Sequence, residues 1–219
     1  LLDKNRNKVI LLASHHPFKT YGTHGGYYSL KDHLFPFTAL NHNLYIPMPV
    51  VGSLYPFLRS TFPTPEDTGN PLYRDMVKRI NQVFEGFPNV IRVAGHEHGL
   101  QFIKDKTIQV VSGAGAKNSY AVKGKHSLYA NARQGYVIVD ELSGKRMKFT
   151  YFIDTDTGVT QTFSYIQPYA EVTAQQVAQV RPLQGDSAIT ALKPGYDSVG
   201  HFHRFLFGDL LANLAISPL

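Results

Sequence analysis

The chain has 219 residues, with 22 Lys and Arg against 16 Asp and Glu, a formal net charge of +6, and 43% hydrophobic residues. That composition fills a core and lies outside the highly charged, apolar-poor regime of disordered chains. Cysteine is absent, which excludes disulfides, cysteine-held zinc or iron–sulfur centres and cysteine nucleophiles, and makes the ten histidines the natural ligands for any metal.

No apolar run approaches the ~20 residues that a membrane-crossing helix needs. The start, Leu1-Leu2-Asp3-Lys4, has neither an initiator Met nor a signal-peptide pattern, so the sequence reads as a piece of something longer. The charge divides it. Residues 1–166 carry 19 basic and 12 acidic side chains, and residues 167–219 carry 3 and 4.

In chain order, Lys8 to Ala13 is a short continuous apolar run, the pattern of a strand covered on both faces. It leads into Ala13-Ser14-His15-His16-Pro17, where Pro17 restricts how the chain leaves the strand. Thr23-His24-Gly25-Gly26 follows on a glycine-rich loop that can fold back over the same edge. Residues 34–65 hold six prolines, which forbids long regular elements and predicts a long loop excursion.

A helix is predicted from Pro71 to about Glu85, with Asn70 as N-cap and Pro71 at the first helical position. Its apolar stripe is Leu72, Met76, Ile80, Val83, Phe84 and Phe87. Asn89 to Ala94 reads as a second buried strand, so the helix and strand form half of a crossover unit. Gly95-His96-Glu97-His98 comes directly after it, at the C-terminal strand end where open α/β sheets place ligands. On an extended backbone, His96 and His98 point the same way.

Beyond residue 100 the pattern turns to β. Ile108 to Val111 and Tyr136 to Val139 have strand length, and Lys145 to Asp154 and Val159 to Ile166 alternate apolar with polar residues around the turns Ser143-Gly144 and Asp156-Thr157-Gly158. The window from Lys106 to Val139 has no acidic residue but holds Lys106, Lys117, Lys123, Lys125, His126 and Arg133, a field that favours an anionic ligand. From Gln167 onward the sequence reads as a linker with one short apolar element, Phe202 to Leu214. There Gly200-His201-Phe202-His203 repeats the Gly-His-x-His pattern without a preceding apolar strand, and reads as packing rather than metal binding.

On residue types alone, convergent histidines suit Zn, Fe, Mn or Ni. Leu11 to Gly26, Asn89 to Gln101 and Gln109 to Gly115 resemble the C-terminal half of the calcineurin-like metallophosphoesterases, most closely the purple or tartrate-resistant acid phosphatase branch. The motifs carrying this are the strand ending in x-x-His-x-Pro, the strand ending in Gly-His-x-His, and the Val110-Val111-Ser112-Gly113-Ala114-Gly115 run.

The resemblance implies an α/β fold in which residues 1–166 are the C-terminal half of a four-layer α-β-β-α sandwich with antiparallel C-terminal strands, and 167–219 are a tail. It implies two di- or trivalent metal ions (Fe, Zn, Mn or Mg) that hydrolyse phosphate esters, with His15 and His96 on one ion and His98 on the other. His24 takes the place of the loop histidine that approaches the phosphate or leaving group, and Lys117 joins it as a substrate-binding residue. His16 has no assigned role.

The family's early motifs, which supply the bridging aspartate, are absent from these 219 residues. The chain therefore calls for a missing N-terminal half as its partner, and no nucleic-acid partner is expected. The Pro-rich excursion and the tail resemble segments of large bacterial envelope proteins that fuse a phosphoesterase to an outer-membrane barrel, which implies a cell-envelope or periplasmic location and membrane association through a C-terminal fused region. The rival reading is a non-catalytic binding or scaffold module that keeps the fold. A third is a single-ion histidine site with a structural role.

Overall fold

The computed structural model describes residues 2–39, 41, 43–170 and the two-residue strand 214–215. Five strands form a mixed sheet in the order β1-β2-β4-β3-β5: β1 (Ile10–Ser14), β2 (Val90–Ala94), β3 (Leu100–Lys104), β4 (Ile108–Ser112) and β5 (Ser127–Asn131). The strands β1, β2 and β4 run parallel, and β3 lies antiparallel between β4 and β5. A second sheet is antiparallel through β6 (Gly135–Leu142), β7 (Arg146–Thr155) and β8 (Gly158–Pro168), with Leu214–Ala215 running parallel beside β6.

The two sheets pack face to face. Period-2 alternation sends Ile91 and Val93, Leu100 and Phe102, Ile108 and Val110 to one face of the mixed sheet, where they meet Val137, Val139, Met147, Phe149, Tyr151 and Ile153. Phe102 and Phe149 are fully buried, with ring centroids 5.1 Å apart. Phe149→Ala is expected to destabilise the fold by about 3–5 kcal/mol, from lost transfer energy and an unfilled cavity, as urea denaturation would measure.

The opposite face of the mixed sheet carries buried Gln101 and Gln109 beside Ile103 and Val111, so it is not purely apolar as the apolar runs of the sequence suggest. Buried Gln101 and Gln109 accept the backbone N–H of Tyr21 (2.8 Å) and Phe18 (3.0 Å), and the Gln101 amide donates to Thr20 Oγ1 (2.8 Å). These bonds satisfy amides that would otherwise be orphaned, and they fasten the segment after β1 across the sheet. On this side also stands α3 (Pro71–Val83), where Asn81 accepts from the Arg92 side chain on β2. The described residues thus supply two β layers and one layer of helix and loop.

Several elements differ from expectation. Asn70 does cap α3, its side chain accepting from Leu72 N–H at 3.0 Å. However, the inward residue of the first turn is buried Tyr73, while Leu72 is 70% exposed. The stripe Tyr73, Met76, Ile80, Val83 and Phe87 is equally periodic, and Tyr73 wins because its hydroxyl reaches the Pro17 carbonyl. Strand β1 stands at the edge of the sheet and leaves Leu11 37% exposed, so it is not covered on both faces.

Strands β3 and β5 go beyond the strands expected from the sequence. The proline-rich excursion follows α1 (Leu30–Leu34) and contains two 3-10 turns and α2 (Leu54–Thr61). Pro56 is tolerated in α2 because it sits in the first turn, where no intrahelical N–H bond is lost. The apolar tail element and Gly200-His201-Phe202-His203 lie outside the described residues, Leu214–Ala215 excepted.

Candidate metal centre

Register brings the first two histidine motifs together. Ser14 on β1 pairs with Ala94 on β2, so the chain leaves both parallel strands at the same edge, through His15-His16 from one and Gly95-His96 from the other. His96 Nδ1 lies 3.2 Å from His15 Nε2. The His96 ring sits between those of His16 and His24, with centroids 4.1 Å away on each side.

The backbone at this edge is not extended. His96 adopts φ 56°, and tight turns follow from Glu97 N–H to the Gly95 carbonyl (2.6 Å) and from Gly99 N–H to the Glu97 carbonyl (2.7 Å). A non-glycine residue in this left-handed region is held against a steric cost. The turn sends His96 into the histidine cluster and Glu97 into the protein, where it has no solvent exposure.

Glu97 is a tie between loops. Its carboxylate accepts from the His24 backbone N–H (3.0 Å), Ser119 Oγ (3.0 Å) and Thr20 Oγ1 (3.3 Å). Burial pushes its carboxyl up, while nearby His24 and these donors pull the other way. Two glycines make room for it. A Cβ at Gly22 would fall inside the Glu97 carboxylate, and one at Gly113 would strike the Glu97 carbonyl.

His24 is fixed from the other side by the proline-rich segment. Its Nδ1 lies 3.0 Å from Asp67 Oδ1. Asp67 in turn accepts two bonds from the Arg59 guanidinium, each 2.9 Å, and two from the Thr64 N–H and hydroxyl, each 2.8 Å. Burial opposes the charge on Asp67, but the Arg59 and Thr64 hydrogen bonds outweigh it and lower its pKa to about 2.

Two groups of side chains here have ligand atoms mutually within 4.8 Å: His15, His16 and His96, and then His24, Glu66 and His96. Imidazole and carboxylate donors at such spacing suit a borderline divalent ion. The structure thus brings His15, His96 and His24 together. It adds His16, left unassigned by sequence, and Glu66, which no motif signalled. His98 belongs to neither group; it is half-buried beyond the turn, its carbonyl accepting the Ser119 N–H at 2.7 Å. Lys117 is exposed on the same loop as Ser119. A cavity of about 340 Å³ lies at the other end of the strands, between Val90, Lys106, Ile108 and Tyr169, away from the histidines.

Burial, reinforced by the mutual repulsion of the histidines, lowers His96 to about 3 and His16 to about 4. Both are therefore neutral and lone-pair-bearing at pH 7. Between pH 6.5 and these values the unfolded chain takes up protons that the folded chain does not, so the metal-free fold loses stability as pH falls through that window. Asp67 adds a loss of the same sign between its ordinary 3.8 and about 2. Denaturant midpoints at pH 7 and pH 5 should show a smaller difference in His96→Asn, which keeps a side chain tolerant of the left-handed backbone.

No family model and no curated protein matches the chain. Among solved structures the chain is similar to GAP50, the anchor in the inner membrane complex of Plasmodium, at 15% identity, over 64% of this chain and 37% of that one, with a TM-score of 0.34. The chain spans just over a third of that protein's length. No helix among the described residues is long and apolar enough to cross a membrane.

Proposed function

We propose that the chain is the histidine-bearing late half of a metal-dependent phosphoesterase. The observation that carries this is the convergence of His15, His16 and His96 at the ends of two register-matched parallel strands. These residues would hold an ion through neutral imidazoles. Such an ion supplies Lewis-acid polarisation of a phosphoryl oxygen and a water of lowered pKa.

This chain's own residues do the rest. His24, with Nδ1 engaged by Asp67, turns Nε2 to the edge, where as an imidazolium, with no ion on Nε2, it gives a proton to the leaving oxygen. Lys117 and the acid-free window around it contribute positive potential for a phosphate ester. Glu97 is committed to loop contacts, and the two groups contain one carboxylate, Glu66. The bridging carboxylate of a close pair of ions would therefore come from an N-terminal half.

Joined to that half, the protein is expected to hydrolyse a simple aryl phosphate only with added divalent metal, and to stop on chelation. Metal-independent turnover, or none with any metal, would sink the reading. The poverty of carboxylates at the edge favours the second reading, a non-catalytic module with a histidine ion site. In that case the joined protein binds metal and turns over nothing.

A further inference from the structure

We propose that His24, Glu66 and His96 form a second divalent-cation seat, built by the proline-rich segment, in which Asp67 is the positioning residue that fixes His24. The proposal rests on the reading of this edge as a metal centre, and gives residues 54–67 a role in it.

Asp67 already receives four bonds from Arg59 and Thr64, so it meets His24 as an acceptor. The His24 proton is thereby placed on Nδ1, and the lone pair on Nε2. A carboxylate behind a histidine is the usual outer-shell device that sets the tautomer and orientation of a metal-binding imidazole. The main chain of His24 is pinned as well: its N–H donates to Glu97, and its carbonyl accepts from the Thr68 N–H at 2.9 Å. Its freedom is removed before any ion arrives.

The residue before Asp67 completes the seat. Glu66 places its carboxylate within 4.8 Å of the His24 and His96 ligand atoms; its carbonyl oxygen, an acceptor 3.3 Å from His96 Nε2, holds the proton of metal-free His96 on that nitrogen, and an ion in this seat displaces that bond. His96 thus faces His15 with Nδ1 and the Glu66 segment with Nε2. Two imidazoles and one carboxylate make a donor set for Zn, Co or Ni, less nitrogen-rich than the three-histidine group beside it. Because a neutral imidazole has one lone pair, His96 serves one seat at a time. Each chain therefore takes up one ion strongly at neutral pH and a second only weakly.

The test is Co²⁺ titration of the whole chain, followed by the absorption of bound cobalt, with variant folding checked by amide NMR spectra. His15→Ala is expected to retain one bound ion, and His15→Ala with His24→Ala to retain none. Asp67→Asn in the His15→Ala background should weaken binding by about 10–100-fold. In the metal-free chain, ¹⁵N-labelled imidazole spectra should show His24 protonated at Nδ1.

If His15→Ala binds no cobalt while His24→Ala binds it like the parent, the second seat is refuted and the first stands. If the parent binds none, both seats fail. A His24 protonated at Nε2, or an Asp67→Asn variant of unchanged affinity, overturns the positioning role. Hydrolysis is read in a separate assay, so its absence leaves the cobalt result standing.

Discussion

His96→Ala is expected to remove metal binding from the chain altogether, because His96 is the residue common to both ligand groups. Loss of an outer-shell partner weakens a metal site by about 10–100-fold, and loss of a shared ligand should exceed that in a Zn²⁺ titration. The left-handed backbone at φ 56° complicates the alanine variant, since a Cβ there is strained whether or not an imidazole follows it. His96→Gly relieves that strain and removes the same ring. Equal loss of binding in both assigns the effect to the imidazole. Wild-type affinity in the glycine variant would overturn both ion seats and the hydrolytic reading that rests on them.

Glu97→Ala is expected to cost about 1–3 kcal/mol, because the buried Thr20 hydroxyl loses its acceptor, and the half-buried His24 N–H and Ser119 hydroxyl lose theirs with it. The Thr20 hydroxyl, the His24 N–H and the Ser119 hydroxyl come from two separate loops, so both should loosen from the edge. Thermal denaturation measures the stability loss. Cobalt binding in the His15→Ala background measures the release of His24. Glu97→Gln preserves the shape and one acceptor oxygen, and should lose less. A glutamine variant as stable as the parent would mean that Glu97 is folded in its protonated form, the state that burial favours.

His96 and Glu97 show where sequence reasoning reached and where it stopped. The tetrapeptide Gly95-His96-Glu97-His98 at the end of an apolar strand was legible as a ligand position, because strand ends follow from local apolar pattern. Which side chain entered the cluster was not legible. An extended backbone would put His96 and His98 on one side, whereas the backbone turns left-handed at His96 and Glu97 is buried, with His96 in both ligand groups and His98 in neither. A one-residue change of backbone region redirects every following side chain, and no periodicity records it.

The proline-rich segment teaches the same lesson at longer range. Its composition correctly argued against long regular elements, yet it contains α2 and delivers Arg59, Thr64, Glu66 and Asp67 to His24. These residues have no motif in common. Their meeting depends on loop closure over 40 residues, from His24 to Asp67, which local propensity does not encode.

By itself the sequence determined that no cysteine chemistry is present, that apolar strands and one capped helix alternate in α/β fashion, and that histidines follow the first two strands. Those features are local, set by residue type, spacing and capping. Only the tertiary structure decided that β1 and β2 are neighbours in matched register, that His16 and Glu66 join the ligand groups, and that two buried carboxylates, Glu97 and Asp67, hold His24 between them. Those features are pairings across tens of residues, fixed by which buried polar groups find partners when the sheets and loops close together.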